Sequence, residues 1–344
     1  MKDFTEDFKT FINIWFIAII STSYCYFIPP KISHGLPKLL FVLPIITIFL
    51  ILPLPISTVH LAFPTVFFLV WLANFKLILF AFNRGPLAST PRFPIATFVS
   101  IALLPINPKQ SSKKLHSVPS HRPILLAFKA VILILIVRVC VHHSDEDKLD
   151  GDVMIVLHHL HLYLGSELVF AMTFYLVKVI IGFDLEIEPQ FREPYLSKSL
   201  QDFWGRRWNR MSSSALRDMV YIPARVIFTR ALGRLWGQLL ATFATFFVSG
   251  LMHELMFWYL TRVWPTWEVM WFFVLHGVCV VVEVAVKKAV NGRFRLHRAV
   301  AAPVTMAFVM VTGGWLLFPQ LIRNGVVAKI LKECSILLEM LGLD

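Results

Sequence analysis

WGQLLATFATFFVSGLMHELMFWYL, residues Trp236 to Leu260, reads as a helix meant for a bilayer, interrupted by His253 and Glu254 standing side by side. About 20 consecutive apolar residues span the hydrocarbon core. An ionisable side chain at that depth costs roughly 2.5–3.5 kcal/mol on insertion scales, so by default it marks a functional site. What the histidine touches is the question this stretch poses.

The rest of the chain is built in the same way. Of 344 residues, 57% are hydrophobic and 16% charged, and the mean hydropathy is +0.69. Apolar runs of membrane length recur at Phe11–Ile28, Leu39–Ile56, Val59–Phe82, Ile124–Val141, Val153–Gly182, Trp236–Leu260, Trp267–Val286 and Val300–Leu321. The fold class is therefore an all-α polytopic integral membrane protein, expected as a single membrane-embedded domain over residues 1–344. The fifth run is long enough to be tilted or broken. Phe93–Ile106 is apolar but short and suits a re-entrant or interfacial helix. The residues after Val326 (VVAKILKECSILLEML) have the pattern of an amphipathic helix lying at the surface. The N-terminal run is expected to stay as a helix: Lys2, Asp3, Glu6, Asp7 and Lys9 mix signs, and no small-residue cleavage site follows. Cys25, Cys140, Cys279 and Cys334 are too scattered for a disulfide framework or a metal knuckle and read as small hydrophobes.

Loop charge orients the spans. Residues 107–122 carry Lys109, Lys113, Lys114 and Arg122 and no acid, and residues 287–298 carry Lys287, Lys288, Arg293, Arg295 and Arg298, again with no acid. Residues 143–152 hold Asp145, Glu146, Asp147, Asp150 and Asp152 against Lys148. The positive-inside rule places the two basic loops in the cytosol and the acidic one on the other side, which eight spans with a lumenal N-terminus satisfy. The net charge of +12 then reflects topology and anionic partners rather than nucleic acid.

Residues 183–235 form the long polar segment of this scheme and fall in the cytosol. Pro189 and Pro194 punctuate its start, and Ser199-Leu-Gln-Asp202 has the form of a capping box opening a helix. On such a helix Trp204 and Trp208 make an aromatic stripe, Asp202 and Asn209 share a face, and Arg206 and Arg210 form a basic ridge. The plain reading is an amphipathic helix packed on the membrane's cytosolic surface.

SLQDFWGRRWN (residues 199–209) followed by SGLMHE (residues 249–254) resembles the membrane-bound O-acyltransferase family, and within it the plant wax synthases. The likeness extends to FKTFINIWFIAIISTSYCYFIPP from Phe8, VWLANFKLILFAFNRGPL from Val70 and FREPYLSKSLQDFWGRRWN from Phe191, and so covers most of the chain. The resemblance implies a multi-pass enzyme of the endoplasmic reticulum that joins a fatty acyl-CoA to a long-chain alcohol. It also implies that His253 is the catalytic base and Asn209 its partner. Relatives using a sterol or diacylglycerol acceptor are the alternative within the family, and a proton-coupled transporter relaying through His253-Glu254 the alternative outside it.

The residues agree with that chemistry. A fatty alcohol becomes a nucleophile once a base takes its proton, and histidine suits the task near neutral pH. Attack on the thioester gives an oxyanion to which the Asn209 amide could donate, or Asn209 could orient the histidine or the substrate. No nucleophilic serine or cysteine, metal or redox cofactor is implied; acyl-CoA is a co-substrate and membrane lipid the surroundings. Asp202, Trp204 and Trp208 would shape the mouth of the site. Arg206, Arg207 and Arg210, with Lys287 and Lys288 behind them, would meet the phosphates of CoA or else serve only as topology charge. Glu254 lies about 100° around the helix from His253, which leaves a neighbouring helix as its natural partner. Ala241, Thr245, Ser249 and Gly250 would permit close helix packing or give room to an acyl chain. Oligomeric state is outside the reach of the sequence.

Several motifs carry less. His253-Glu254 begins an HExxH zinc signature, but Phe257 occupies the second ligand position. His142-His143 with Ser144 to Asp147 imitates the HHxxxDG motif of an unrelated synthase family, with Lys148 in place of its glycine. His158 and His161 have a metal-compatible spacing but read more simply as interfacial polarity. Asn74 and Lys76 are polar within an apolar run, and Lys76 either snorkels or meets substrate.

Overall fold

A chain with this little polarity satisfies its backbone within helices, because lipid offers no hydrogen bonds. The computed structural model describes residues 2–27, 31–89, 93–106, 123–143, 151–181, 190–290 and 296–342, and all regular structure among them is helical. Among the described residues seven helices are long and apolar enough to cross a membrane. The described part of each of the eight apolar runs is helical, apart from the end of the second: α2 (Leu36–Ile51) has only 16 residues, because Pro53 and Pro55 end it early. The basic loop 107–122 and Ser144–Asp147 of the HHxxxDG look-alike lie outside the described residues.

The helices divide into two compact units. The first holds α1 (Lys2–Phe27), α2, α3 (Val59–Ala81), α4 (Ile95–Leu103), α5 (Pro123–His143), α6 (Gly151–Ile181) and α11 (Val326–Leu341). Helix α3 is its interior helix: 83% of its apolar window is buried, against 17% for α5. From Val66 to Ala73 α3 widens into a π-helical stretch, every residue of it buried. Two acids from distant helices cap its N-terminus. Asp7 accepts from the backbone and hydroxyl groups of Ser57 and Thr58 at 2.6 to 3.1 Å, and Glu333 accepts from the amides of Val59 (2.7 Å) and His60 (3.0 Å). Acids at this end neutralise the orphan donors and the positive pole of the helix.

Lys76 does not snorkel. Its buried ammonium donates to the carbonyls of Ile101 (2.6 Å), Leu104 (2.7 Å) and Ile106 (3.4 Å), so three donors close the C-terminal end of α4. The short helix expected within Phe93–Ile106 is α4 itself. Helix α6 runs unbroken for 31 residues. Helix α11 is the amphipathic helix expected after Val326: Leu331, Cys334 and Leu338 form its apolar stripe and are buried against α5. A protein neighbour, rather than lipid alone, covers that stripe.

The second unit, Gln190–Gly325, contains a strap over 190–197 that includes a short 3-10 turn at Pro194–Leu196, followed by α7 (Leu200–Asp202, continued by a π-type turn Phe203–Arg207), α8 (Arg210–Thr261), α9 (Glu268–Ala289) and α10 (Arg298–Arg323). Helix α8 is two arms joined at Gly233, whose φ of 83° and ψ of 172° are open to glycine alone. The chain turns so tightly there that a Cβ on Gly237 would lie 2.7 Å from the Cα of Thr229. The second arm packs along α9 at very close range: a Cβ on Gly277 would lie 2.8 Å from that of Phe246, and one on Gly250 would lie 3.2 Å from that of Phe273. Small residues at this seam serve close approach of the two helices.

Candidate active site

Ser199 caps α7 as its sequence predicts: its Oγ accepts from the amide of Asp202 at 3.2 Å. The single helix expected to run on through Arg210 does not form. After the π-type turn, in which Trp208 N–H reaches back to Phe203 O at 2.9 Å, Trp208 is extended (φ −90°, ψ 131°) and Asn209 is left-handed (φ 34°). Asp202 and Asn209 therefore share no helix face, and Arg206 and Arg210 no ridge. A new helix starts instead, because the Asn209 Oδ1 accepts from Ser212 N–H at 3.1 Å and caps α8. Asparagine tolerates the left-handed conformation better than most residues. With Oδ1 held by an amide donor, the orientation of the side chain is fixed, and its NH2 is the group left to donate elsewhere.

The strap is fastened to this corner. Arg192 N–H donates to Arg207 O, and Gln190 accepts from Arg210 N–H through its carbonyl and from Met211 N–H through its side chain. Arg207 is a structural tie: Nε donates to Asp202 at 2.8 Å, and Nη1 to the carbonyls of Arg192 (3.0 Å) and Glu193 (3.3 Å). Burial works against ionisation of Asp202, but the hydrogen bonds from Arg207 and the Lys198 amide, with the charges of Arg207 and Arg206, hold its carboxyl below the usual range. Arg206 is exposed and Arg210 half-buried. Lys287 reaches Ser199 and Gln201 on α7 at 3.2 Å, Glu283 accepts from Gln201 N–H at 3.1 Å, and Lys288 donates to Gln238 at 2.5 Å. Of the cations expected to meet phosphates, Lys287 holds the α7 segment against α9 and Lys288 ties α9 to α8.

The tryptophans split in role. Trp208 stacks on the buried Phe203 (5.4 Å between centroids) and meets Phe191 of the strap edge-on at 5.2 Å. Trp204 turns inward, into the aromatic cluster of Phe246, Phe272 and Phe273. Its Nε1–H donates to Nδ1 of His276 at 3.0 Å. An indole N–H can only donate, so Nδ1 is the unprotonated nitrogen of a neutral His276, and Nε2–H donates to the Thr312 hydroxyl at 2.9 Å. That hydroxyl in turn donates to Phe308 O at 2.7 Å. His276 is not among the residues that the sequence motifs single out. The rule that singles out His253, an ionisable side chain inside an apolar run, applies equally to WFFVLHGVCVVVE.

His253 sits one π-stack away. Its ring lies on that of Phe273 (4.1 Å, 29° between planes), against which Trp204 also packs. Stacking of this kind contributes about 0.5–1.5 kcal/mol beyond burial. Nδ1 is 2.7 Å from Ser249 O. A carbonyl only accepts, so Nδ1 carries the proton and the lone pair of the neutral ring is on Nε2. Phe273 thus touches both the His253 ring and the Trp204 indole. Glu254 points away: it is buried, and its Oε1 accepts from the Met270 amide at 2.9 Å, at the N-terminus of α9. Trp267, the residue before that helix, is left-handed (φ 64°) and offers no side-chain cap, so the cap comes from a neighbouring helix. Phe257, where an HExxH ligand would stand, is packed with Val269 and Phe272.

Residues 187–275, which include both motifs, match the Membrane bound O-acyl transferase family. The chain is 45% identical over 340 residues to a long-chain-alcohol O-fatty-acyltransferase of Simmondsia chinensis, covering 96% of this chain and 95% of that one. It is 45% identical to a probable long-chain-alcohol O-fatty-acyltransferase 3 of Arabidopsis thaliana, covering 95% and 94%. To the acyl-CoA–sterol O-acyltransferase 1 of the same plant it is 42% identical, covering 94% of each. The chain belongs to the membrane-bound O-acyltransferase family, and its likeness to long-chain-alcohol O-fatty-acyltransferases runs over nearly its whole length.

Proposed function

We propose that this protein, in the endoplasmic reticulum membrane, transfers the acyl group of a fatty acyl-CoA to a long-chain alcohol, giving a wax ester and free CoA. His253 Nε2 takes the proton of the alcohol as its oxygen attacks the thioester carbonyl. The C–O bond forms, the carbonyl oxygen becomes an oxyanion, and its collapse breaks the C–S bond. The proton on Nε2 then passes to the departing thiolate. Asn209, with Oδ1 held by its cap, offers its NH2 to the oxyanion, and Arg206 and Arg210 supply positive charge for the CoA phosphates. Such a donor is worth roughly 100- to 1,000-fold in rate.

The observation that carries the reading is the fixed tautomer of His253, a base whose lone pair is set by one hydrogen bond and whose ring is held by Phe273. Its test uses microsomes from a host without neutral-lipid acyltransferases, given labelled acyl-CoA with long-chain alcohols, sterols and diacylglycerols in parallel. Ester on alcohol, lost in His253→Ala at unchanged membrane abundance, is the expected result. Ester on sterol alone would move the acceptor to that of the Arabidopsis sterol relative. Full activity in His253→Ala would remove the base.

A further inference from the structure

At one end of the first unit, three helices that are far apart in sequence bring together His60 of α3, His161 of α6 and Cys334 of α11, with one ligand-type atom from each lying within 4.8 Å of the others. His60 Nε2 is 3.5 Å from Cys334 Sγ. A tetrahedral zinc site with Zn–N of about 2.0–2.1 Å and Zn–S of about 2.3 Å has an N-to-S edge of about 3.6 Å, so this pair already stands at ligand spacing. Among the described residues His161 makes no hydrogen bond, and it needs to close on the pair by about an ångström to complete the triangle.

His60 is held by its second partner in the way expected of a metal ligand. Nδ1 is 2.6 Å from Glu333 Oε2, and a carboxylate accepts, so Nδ1 carries the proton and Nε2 presents its lone pair to the sulfur side. Glu333 is itself fixed by the amides of Val59 and His60. Cys334 is buried, whereas the His60 side chain keeps 34% of its surface exposed, which leaves an ion a way in. One thiolate and one carboxylate would neutralise a divalent charge, as burial requires.

We propose that His60, His161 and Cys334 bind one borderline divalent metal ion such as zinc, with Glu333 orienting His60 and a water completing the tetrahedron. Binding displaces the thiol proton of Cys334 and joins α11 to α3 and α6 by metal bonds. The site belongs to the first unit, whereas His253 and Asn209 belong to the second, so the acyl-transfer proposal neither needs it nor depends on it. Neither the scattered cysteines nor the His158–His161 spacing reveals it, because its three ligands come from three helices.

Cobalt(II) is the probe. Full-length protein in detergent, without a histidine tag and stripped by chelator, is titrated with the ion and then with zinc. One equivalent of cobalt with a thiolate-to-cobalt charge-transfer band, displaced by zinc, is expected, and Cys334→Ser should lose the band. His161→Ala should weaken cobalt at least tenfold, while His158→Ala leaves it unchanged. No band in folded wild-type protein, or a band that survives Cys334→Ser, would overturn the site. If Cys334→Ser does not fold, His161→Ala decides: equal affinity there means adventitious metal only.

Discussion

Gly250 lies one turn before His253 at the seam between α8 and α9, and replacing it with alanine perturbs the proposed base without touching it. The new Cβ would sit 2.5 Å from Met270 Sδ and 3.2 Å from Phe273 Cβ. The thioether can swing aside, since methionine adapts readily. The Phe273 Cβ moves only with its backbone and must give by a few tenths of an ångström. Overpacking of this sort costs about 1–3 kcal/mol, and removing a glycine from a helix interior returns about 1 kcal/mol. The expected net destabilisation is therefore about 0–2 kcal/mol. The functional effect is larger in proportion, because Phe273 carries the His253 ring. If an ångström of misplacement costs about 100-fold, a few tenths cost roughly 3- to 10-fold in kcat. Gly277→Ala is the control: its Cβ would meet Phe246 Cβ at 2.8 Å, a stiffer obstacle that faces Trp204 rather than His253. It should lower thermal stability in detergent more, and kcat at saturating substrates less, than Gly250→Ala. The reverse ranking on both measurements would refute the role given to Phe273.

Asn209→Asp keeps an acceptor for the Ser212 amide and removes the NH2 donor, so thermal stability should hold while kcat falls roughly 100- to 1,000-fold; wild-type rates in that variant would rule out the donor role. Glu254→Ala should cost about 1–2 kcal/mol by uncapping α9, whereas Glu254→Gln, which retains an acceptor for Met270 N–H, should stay near wild type in a detergent melt. The depressed carboxyl of Asp202 contributes stability that is fully present above the ordinary aspartate value and is lost as pH falls through its lowered value. The melting temperatures of wild type and Asp202→Asn should therefore differ above about pH 4 and converge below it; a gap that persists in acid would mean that the Arg207 ion pair is not its source.

The apolar runs are legible because the lipid constraint acts on every residue of a span at once, and a helix is the local answer to it. The Ser199 cap is legible for the same reason, since it involves neighbours in the chain. The break at Trp208 is not: it goes with a π-type turn whose Trp204 packs on Phe246, Phe272 and Phe273 of other helices, while Phe203 stacks on Trp208 itself. Lys76 closing α4 and Glu254 capping α9 each pair a charge with backbone groups that sequence pattern does not match to it. His253 stood out because of its surroundings, and His276 could have stood out equally. What hides is the direction of each ring, which Ser249 and Phe273 set for the one and Trp204 and Thr312 for the other.

The reversal at Gly233 turns the separation between Asn209 and His253 into a matter of phase. Each residue added to or removed from an arm of α8 advances everything beyond it by about 100° around the axis and 1.5 Å along it. One inserted residue between Gly233 and His253 would carry the imidazole off Phe273 and aim a neighbour at it instead. A second would carry it further still, and about a full turn is needed to restore its bearing, at another height. Change of length in these arms is therefore tolerated only in near-whole turns, whereas the stretch 262–267 after α8, which carries no comparable phase, can absorb single residues.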